Sequence, residues 1–198
     1  MDNSKVNNIK PYGCIITFER NDEVSLPIGH YFLKNCNHDT EKIFPKISIY
    51  GLGSCIALIL IDFKNKVCGM SHILLPKATL NKEIKYPHKY ADLSLKLLIK
   101  ELLNNGAVKE NIKAIIVGGS RIFDLDENFM GIDNTKAIKH ELEVLNIPVI
   151  AEDLGGSQGR GVIFDTKDFT LYVKLTKEKE YKKIILNQRI LKIKERNY

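Results

Sequence analysis

Two apolar runs of strand length flank a three-residue polar break in this chain. They are CIALILIDF at 55–63 and VCGMSHILLP at 67–76, with Lys64-Asn65-Lys66 between them. Apolar segments of this length joined by a short polar turn read as a β-hairpin. A turn at 63–66 pairs residues whose numbers sum to about 129, which sets His72 opposite Ala57. Cys55 then lies two residues along on the same face as His72. Diagonal neighbours across antiparallel strands are about 7–8 Å apart at Cα, a gap that side chains leaning together can close. A slip of one residue would send the thiol and the imidazole to opposite faces.

Around this hairpin, strand and helix signals are interspersed. Strands are expected at 14–18, 26–34, 47–50, 113–117 and 147–151, with a closing hairpin from 161–164 and 171–175. Tyr90–Asn105 has helical spacing, with Ala91, Leu95, Leu98, Ile99 and Leu102 on one stripe and Gly106 at the C-terminal cap. A second helix is expected over Asn134–Leu145, capped by Asp133, with Ala137, Ile138, Glu141, Leu142 and Leu145 along one side. Hairpins predominate, so the class is α+β: a mainly antiparallel sheet covered by two principal helices.

Length and composition narrow the function. The chain has 198 residues, 44% hydrophobic and 27% charged, which suits one domain with a real core. No apolar run approaches the roughly 18–20 residues that span a bilayer, and the first residues, MDNSKVNNIKPYG, carry no secretory signal, so the expected compartment is the cytoplasm. The net charge of +6 resides entirely in residues 174–198, which hold nine Lys or Arg and three acids. A nucleic-acid footprint spread over the domain is therefore not expected. The tail reads as a helix from about Lys177 to Glu195. It either packs on the domain or contacts an acidic partner or an anionic membrane surface.

The four cysteines, at 14, 36, 55 and 68, form no CxxC pair, and His30, His38, His88 and His140 have no metal-ligand spacing. No metal and no organic cofactor is expected. Gly51 and Gly53 precede Cys55 without the Lys-Ser/Thr of a phosphate loop, which leaves a cysteine presented after a glycine turn. Cys55 and His72 are the minimal equipment for thiolate attack on a carbonyl, with N–H groups around Gly53 and Ser54 as candidate oxyanion donors. The alternative is a small buried strand cysteine beside a hydrogen-bonded core histidine. Cys14, Cys36 and Cys68 read as packing residues. Asp92, Glu152 and Asp153 read as caps or surface ion pairs. The glycine-rich stretches 117–120 and 152–161 read equally as turns or as the lining of a cleft.

Five segments together resemble the CheD family of chemoreceptor glutamine deamidases: LGSCIALILID at 52–62, GMSHILLP at 69–76, KYADLSLKLLIKELLNNGA at 89–107, VGGSRIF at 117–123 and IPVIAEDLGGSQGRGVIFD at 147–165. IGHYFLK at 28–34 is similar to the family's opening strand. The resemblance covers roughly residues 26–175, leaving extensions at 1–25 and 176–198. It implies a three-layer α/β/α-like sandwich and a cytoplasmic enzyme that converts receptor glutamines to glutamates and in some members hydrolyses glutamyl methyl esters. It also implies methyl-accepting chemoreceptors and a CheC-type phosphatase as partners. The family's nucleophile falls on Cys55 and its histidine on His72. Its third catalytic residue, a threonine, falls on Ile49, which cannot orient an imidazole. Ser48 is the nearest hydroxyl, on the opposite face unless a bulge turns it. A weakly active or inactive module that docks on receptors and phosphatase is the alternative this departure favours.

Overall fold

A computed structural model describes residues 18–20, 23–37, 45–79, 84–122 and 130–186. The expected features at Cys14 and His38, most of the strand at 14–18 and the end of the tail fall outside them. The strands are β1 (Phe18–Arg20), β2 (Glu23–Ser25), β3 (Tyr31–Asn35), β4 (Lys46–Leu52), β5 (Ile56–Asp62), β6 (Val67–Ile73), β7 (Ile112–Gly118), β8 (Val149–Leu154), β9 (Arg160–Asp165), β10 (Thr170–Leu175) and β11 (Lys182–Ile185). The helices are α1 (Ala91–Asn104) and α2 (Met130–Val144).

Two sheets result, in the orders β3-β6-β5-β7-β8 and β1-β2-β4-β9-β10-β11. Both are mixed: most pairs are antiparallel, while β2–β4 and β7–β8 run parallel. One core lies between the sheets and includes Ile47, Ile49, Ala57, Ile59, Ile61, Met70, Val162 and Phe164. A second core lies between the five-stranded sheet and the helices and includes Ile56, Leu58, Leu60, Leu95, Leu98, Ile138 and Leu142.

The fold is thus the expected α+β sandwich of three layers, with one difference in their order. Both helices lie on one face of the five-stranded sheet, and six strands cover the face where an α/β/α arrangement has further helices. The burial patterns give the reason. β5 and β6 are buried at all seven positions, as strands covered on both faces must be. β9 alternates buried and part-exposed residues, as a strand with one solvated face does.

The expected stripe of α1 is buried in full, and Gly106 follows the helix at a positive φ of 93°. Helix α2 starts one turn earlier than expected, so Asp133 sits in its first turn and is not its cap. The tail is corrected in its described part. Lys182–Ile185 is a strand paired with β10, not part of a helix, and Ile184 together with Leu186 just after the strand lies in the core between the sheets. Alternation explains this: Ile184 and Leu186 point inward while Lys183 and Ile185 point outward. On the N-terminal side, β2 pairs with β4 and buries Val24, so the sheet reaches past both residue 25 and residue 175.

A chain ending at Leu175 should lose about 3–6 kcal/mol through the loss of buried Ile184 and Leu186. Urea unfolding of that truncation beside a chain ending at Leu186 measures the difference.

Candidate active site

The hairpin register is the one expected. Ala57 pairs with His72, Ile56 with Ile73 and Asp62 with Val67. The turn is fixed by the Asp62 carboxylate, which accepts the backbone N–H and the side-chain amide of Asn65 at 2.9 and 2.7 Å, while Lys66 takes a positive φ of 52°. Cys55 immediately precedes β5 and joins Ala57 and Ile59 in the core between the sheets. Met70 and Cys68 of β6 face the same core, so by alternation His72 does too. Both side chains lie at one end of the sandwich, with 9% of Cys55 and 7% of His72 exposed.

The imidazole is held on one side only. Its Nδ1 is 3.0 Å from the Leu26 carbonyl, which accepts but cannot donate, so Nδ1 carries the proton. Nε2 is buried and has no hydrogen-bond partner among the described residues, leaving its lone pair free to take a proton. The Leu26 N–H in turn donates to the Ser48 carbonyl at 2.8 Å. The Ser48 hydroxyl lies 3.5 Å from the Val24 carbonyl, and Ile49 packs in the core between the sheets. Position 48 meets the Leu26 N–H through its backbone, and the group within hydrogen-bond distance of the imidazole is the carbonyl of residue 26.

Burial sets the protonation of both groups. It lowers the His72 pKa below the ordinary 6.5; the Leu26 hydrogen bond opposes this and the nearby His30 adds to it. It raises the Cys55 thiol above its ordinary 9.0, opposed by the residue's own backbone N–H. At neutral pH both groups therefore rest uncharged, a neutral thiol and a neutral imidazole.

The turn carrying Cys55 is gripped by its carbonyls. The Gly53 carbonyl accepts from Ser120 N–H and the Cys55 carbonyl from Gly119 N–H, both at 2.9 Å. Gly118 has φ +123°, and a Cβ there would overlap the Cys55 carbonyl, so only glycine permits this approach. The N–H groups of Gly53, Ser54 and Cys55 donate to no backbone carbonyl among the described residues, as oxyanion donors require. The glycine-rich stretches thus meet at the turn that carries Cys55. Arg160, buried at the start of β9, ties them together through Asp153, the Ser120 hydroxyl and the Gly155 carbonyl. Asp153 is therefore a buried ion-pair partner, not a surface one. Glu152 pairs with Lys139, and Asp92 accepts from Ala78 N–H.

The remaining candidates take packing or local roles. Cys68 is fully buried in the core between the sheets, and Cys36 lies 3.6 Å from the Thr166 carbonyl. His30 and His88 are buried, within hydrogen-bond distance of the Ile28 carbonyl and the Ser94 hydroxyl. No group of three or more His, Cys, Asp or Glu among the described residues is arranged to hold a metal ion. No helix among them is long and apolar enough to cross a membrane.

Two comparisons bear on identity. The family model described as "CheD chemotactic sensory transduction" matches residues 74–175. A relative in Clostridium botulinum (strain Hall) is 41% identical over 133 residues, covering 65% of this chain and 82% of that protein. The chain belongs to the CheD family. That relative is named "Probable chemoreceptor glutamine deamidase CheD", as is one in Clostridium acetobutylicum that is 41% identical over 127 residues, covering 62% of this chain and 76% of the relative. The family-model match begins just past His72 and so includes neither Cys55 nor His72.

Nitrogen NMR should find His72 in the Nδ1–H tautomer, with a protonation midpoint below 6.5. A midpoint at or above 6.5 would show that burial does not govern the ring.

Proposed function

We propose that this chain is a cysteine-dependent protein-glutamine amidohydrolase that converts chemoreceptor glutamines to glutamates. The observation that carries the reading is how His72 is held: its Nδ1 is 3.0 Å from the Leu26 carbonyl, and its Nε2 is buried without a partner among the described residues, on the sheet face toward the core that includes Cys55.

In this mechanism Cys55 Sγ attacks the glutamine carboxamide carbon while His72 Nε2 takes the thiol proton. The oxyanion that forms is met by N–H groups of the Gly53-Ser54-Cys55 turn. The carbon–nitrogen bond breaks as Nε2–H protonates the leaving amine, which departs as ammonia. A water then gives a proton to Nε2 and attacks the thioester. The carbon–sulfur bond breaks, the proton returns to sulfur, and glutamate remains. A glutamyl methyl ester follows the same route with methanol leaving. No step calls for a metal or an organic cofactor. Each turnover places a carboxylate where a neutral amide stood, which changes the repulsion between neighbouring receptor helices.

The docking-module alternative draws its weight from Ile49; the Leu26 carbonyl beside the imidazole supports the enzyme reading instead. Association with a CheC-type phosphatase and a cytoplasmic location belong to the same proposal. So does contact of the exposed Lys177, Lys179, Lys182 and Lys183 with an anionic membrane surface.

Incubation with a chemoreceptor cytoplasmic fragment, followed by peptide mass measurement, tests the reading. The wild-type chain should add about one mass unit at selected glutamines, the exchange of an amide for an acid that thioester hydrolysis leaves. Cys55→Ala should abolish the change with the fold intact, whereas Cys68→Ala should act on stability alone. Undiminished deamidation by folded Cys55→Ala would sink the mechanism.

A further inference from the structure

Asn134 stands out on the buried face of α2. It shares that face with Gly131, Thr135, Ile138 and Leu142, and it is fully buried. Its Nδ2 donates to the Ser54 carbonyl at 2.9 Å and to the Leu74 carbonyl at 2.8 Å. Both neighbours are acceptors, so the amide nitrogen must face them. Its Oδ1 is buried with no partner among the described residues. An asparagine that spends one polar atom to secure two carbonyls is poorly explained as stabilising filler, since an unpaired buried acceptor is itself unfavourable.

The two carbonyls identify the task. Ser54 precedes the nucleophile by one residue, and Leu74 follows His72 by two. In a trans peptide the C=O and N–H point in opposite directions. Holding the Ser54 carbonyl toward α2 therefore points the Cys55 N–H away from the helix, toward the side of the sheet where Cys55 packs. We infer that Asn134 is a positioning residue that fixes the Cys55 N–H as an oxyanion donor and ties the nucleophile turn to the end of the histidine strand. The reach of Asn134 depends on close packing of α2 against the 119–120 turn. A Cβ at Gly131 would come within 2.6 Å of the Ser120 carbonyl oxygen.

The inference rests on the deamidase reading, so wild-type turnover of a chemoreceptor cytoplasmic fragment is measured first. No turnover ends both readings. Wild-type turnover that Asn134→Leu matches ends this one alone. The expected result for Asn134→Leu is a fall in kcat of about 100- to 1,000-fold, the usual effect of one lost oxyanion donor, with KM nearly unchanged. Alkylation of Cys55 by iodoacetamide proceeds at a tetrahedral carbon and forms no oxyanion, so its rate should fall far less than kcat. Equal losses in kcat and alkylation would reduce Asn134 to a packing role and overturn the inference.

If Asn134→Leu does not fold, Asn134→Asp provides the test. Its carboxyl donates one hydrogen bond when protonated and none when ionised. Turnover relative to wild type should therefore drop as pH rises. A ratio independent of pH would contradict the inference.

Discussion

The pairing of Ala57 with His72 is the constraint on which the site depends. Had β6 slipped by one residue, His72 would face the helices and Ser71 the core between the sheets. Here Ser71 accepts a hydrogen bond from Ser94 of α1 on the helix side, which marks the register independently. The register is held from the far end of the hairpin. Buried Asp62 accepts Asn65 at the turn and also the Val108 N–H at 2.8 Å, joining the hairpin to the segment that leads into β7. A carboxylate at one end of the strand pair thus fixes which face the imidazole takes at the other.

Much of this was legible in the sequence. The continuous apolar runs of β5 and β6, the Lys64–Lys66 break and the stripe of α1 have local periodicity, and each reads correctly without tertiary information. What escaped reading depends on contacts distant in sequence. The Leu26 carbonyl has no side-chain signature, and it meets His72 across 46 residues. The Arg160–Asp153 pair is unremarkable in sequence and informative only as a buried hub. Asn134 did leave a trace: it is a polar residue four positions from Ile138 and eight from Leu142, on a stripe otherwise suited to the core. The tail misread as a helix because its mixed lysines and isoleucines fit both periods, and pairing with β10 decided between them.

The electrostatics of the site follow from its depth. Cys55 and His72 are both held in their neutral forms by burial, the thiol raised and the imidazole lowered. Such a pair differs from a preformed thiolate–imidazolium pair. It keeps the sulfur protonated at rest, so the mechanism proposed above makes proton transfer part of the attack. The turn that carries Cys55 complements this. Its carbonyls are bound by Gly119, Ser120 and Asn134, which fixes its N–H groups in advance, as the proposed oxyanion role requires.

The central claim is that burial keeps the resting pair neutral, and the pH dependence of thiolate absorbance tests it most directly. The ultraviolet thiolate signal of the wild-type chain, less that of Cys55→Ala, reports Cys55 alone. The account predicts no difference signal at neutral pH, with the thiolate emerging only above the ordinary thiol value of 9.0. A full Cys55 thiolate at neutral pH that disappears in His72→Ala would establish a preformed ion pair and contradict it.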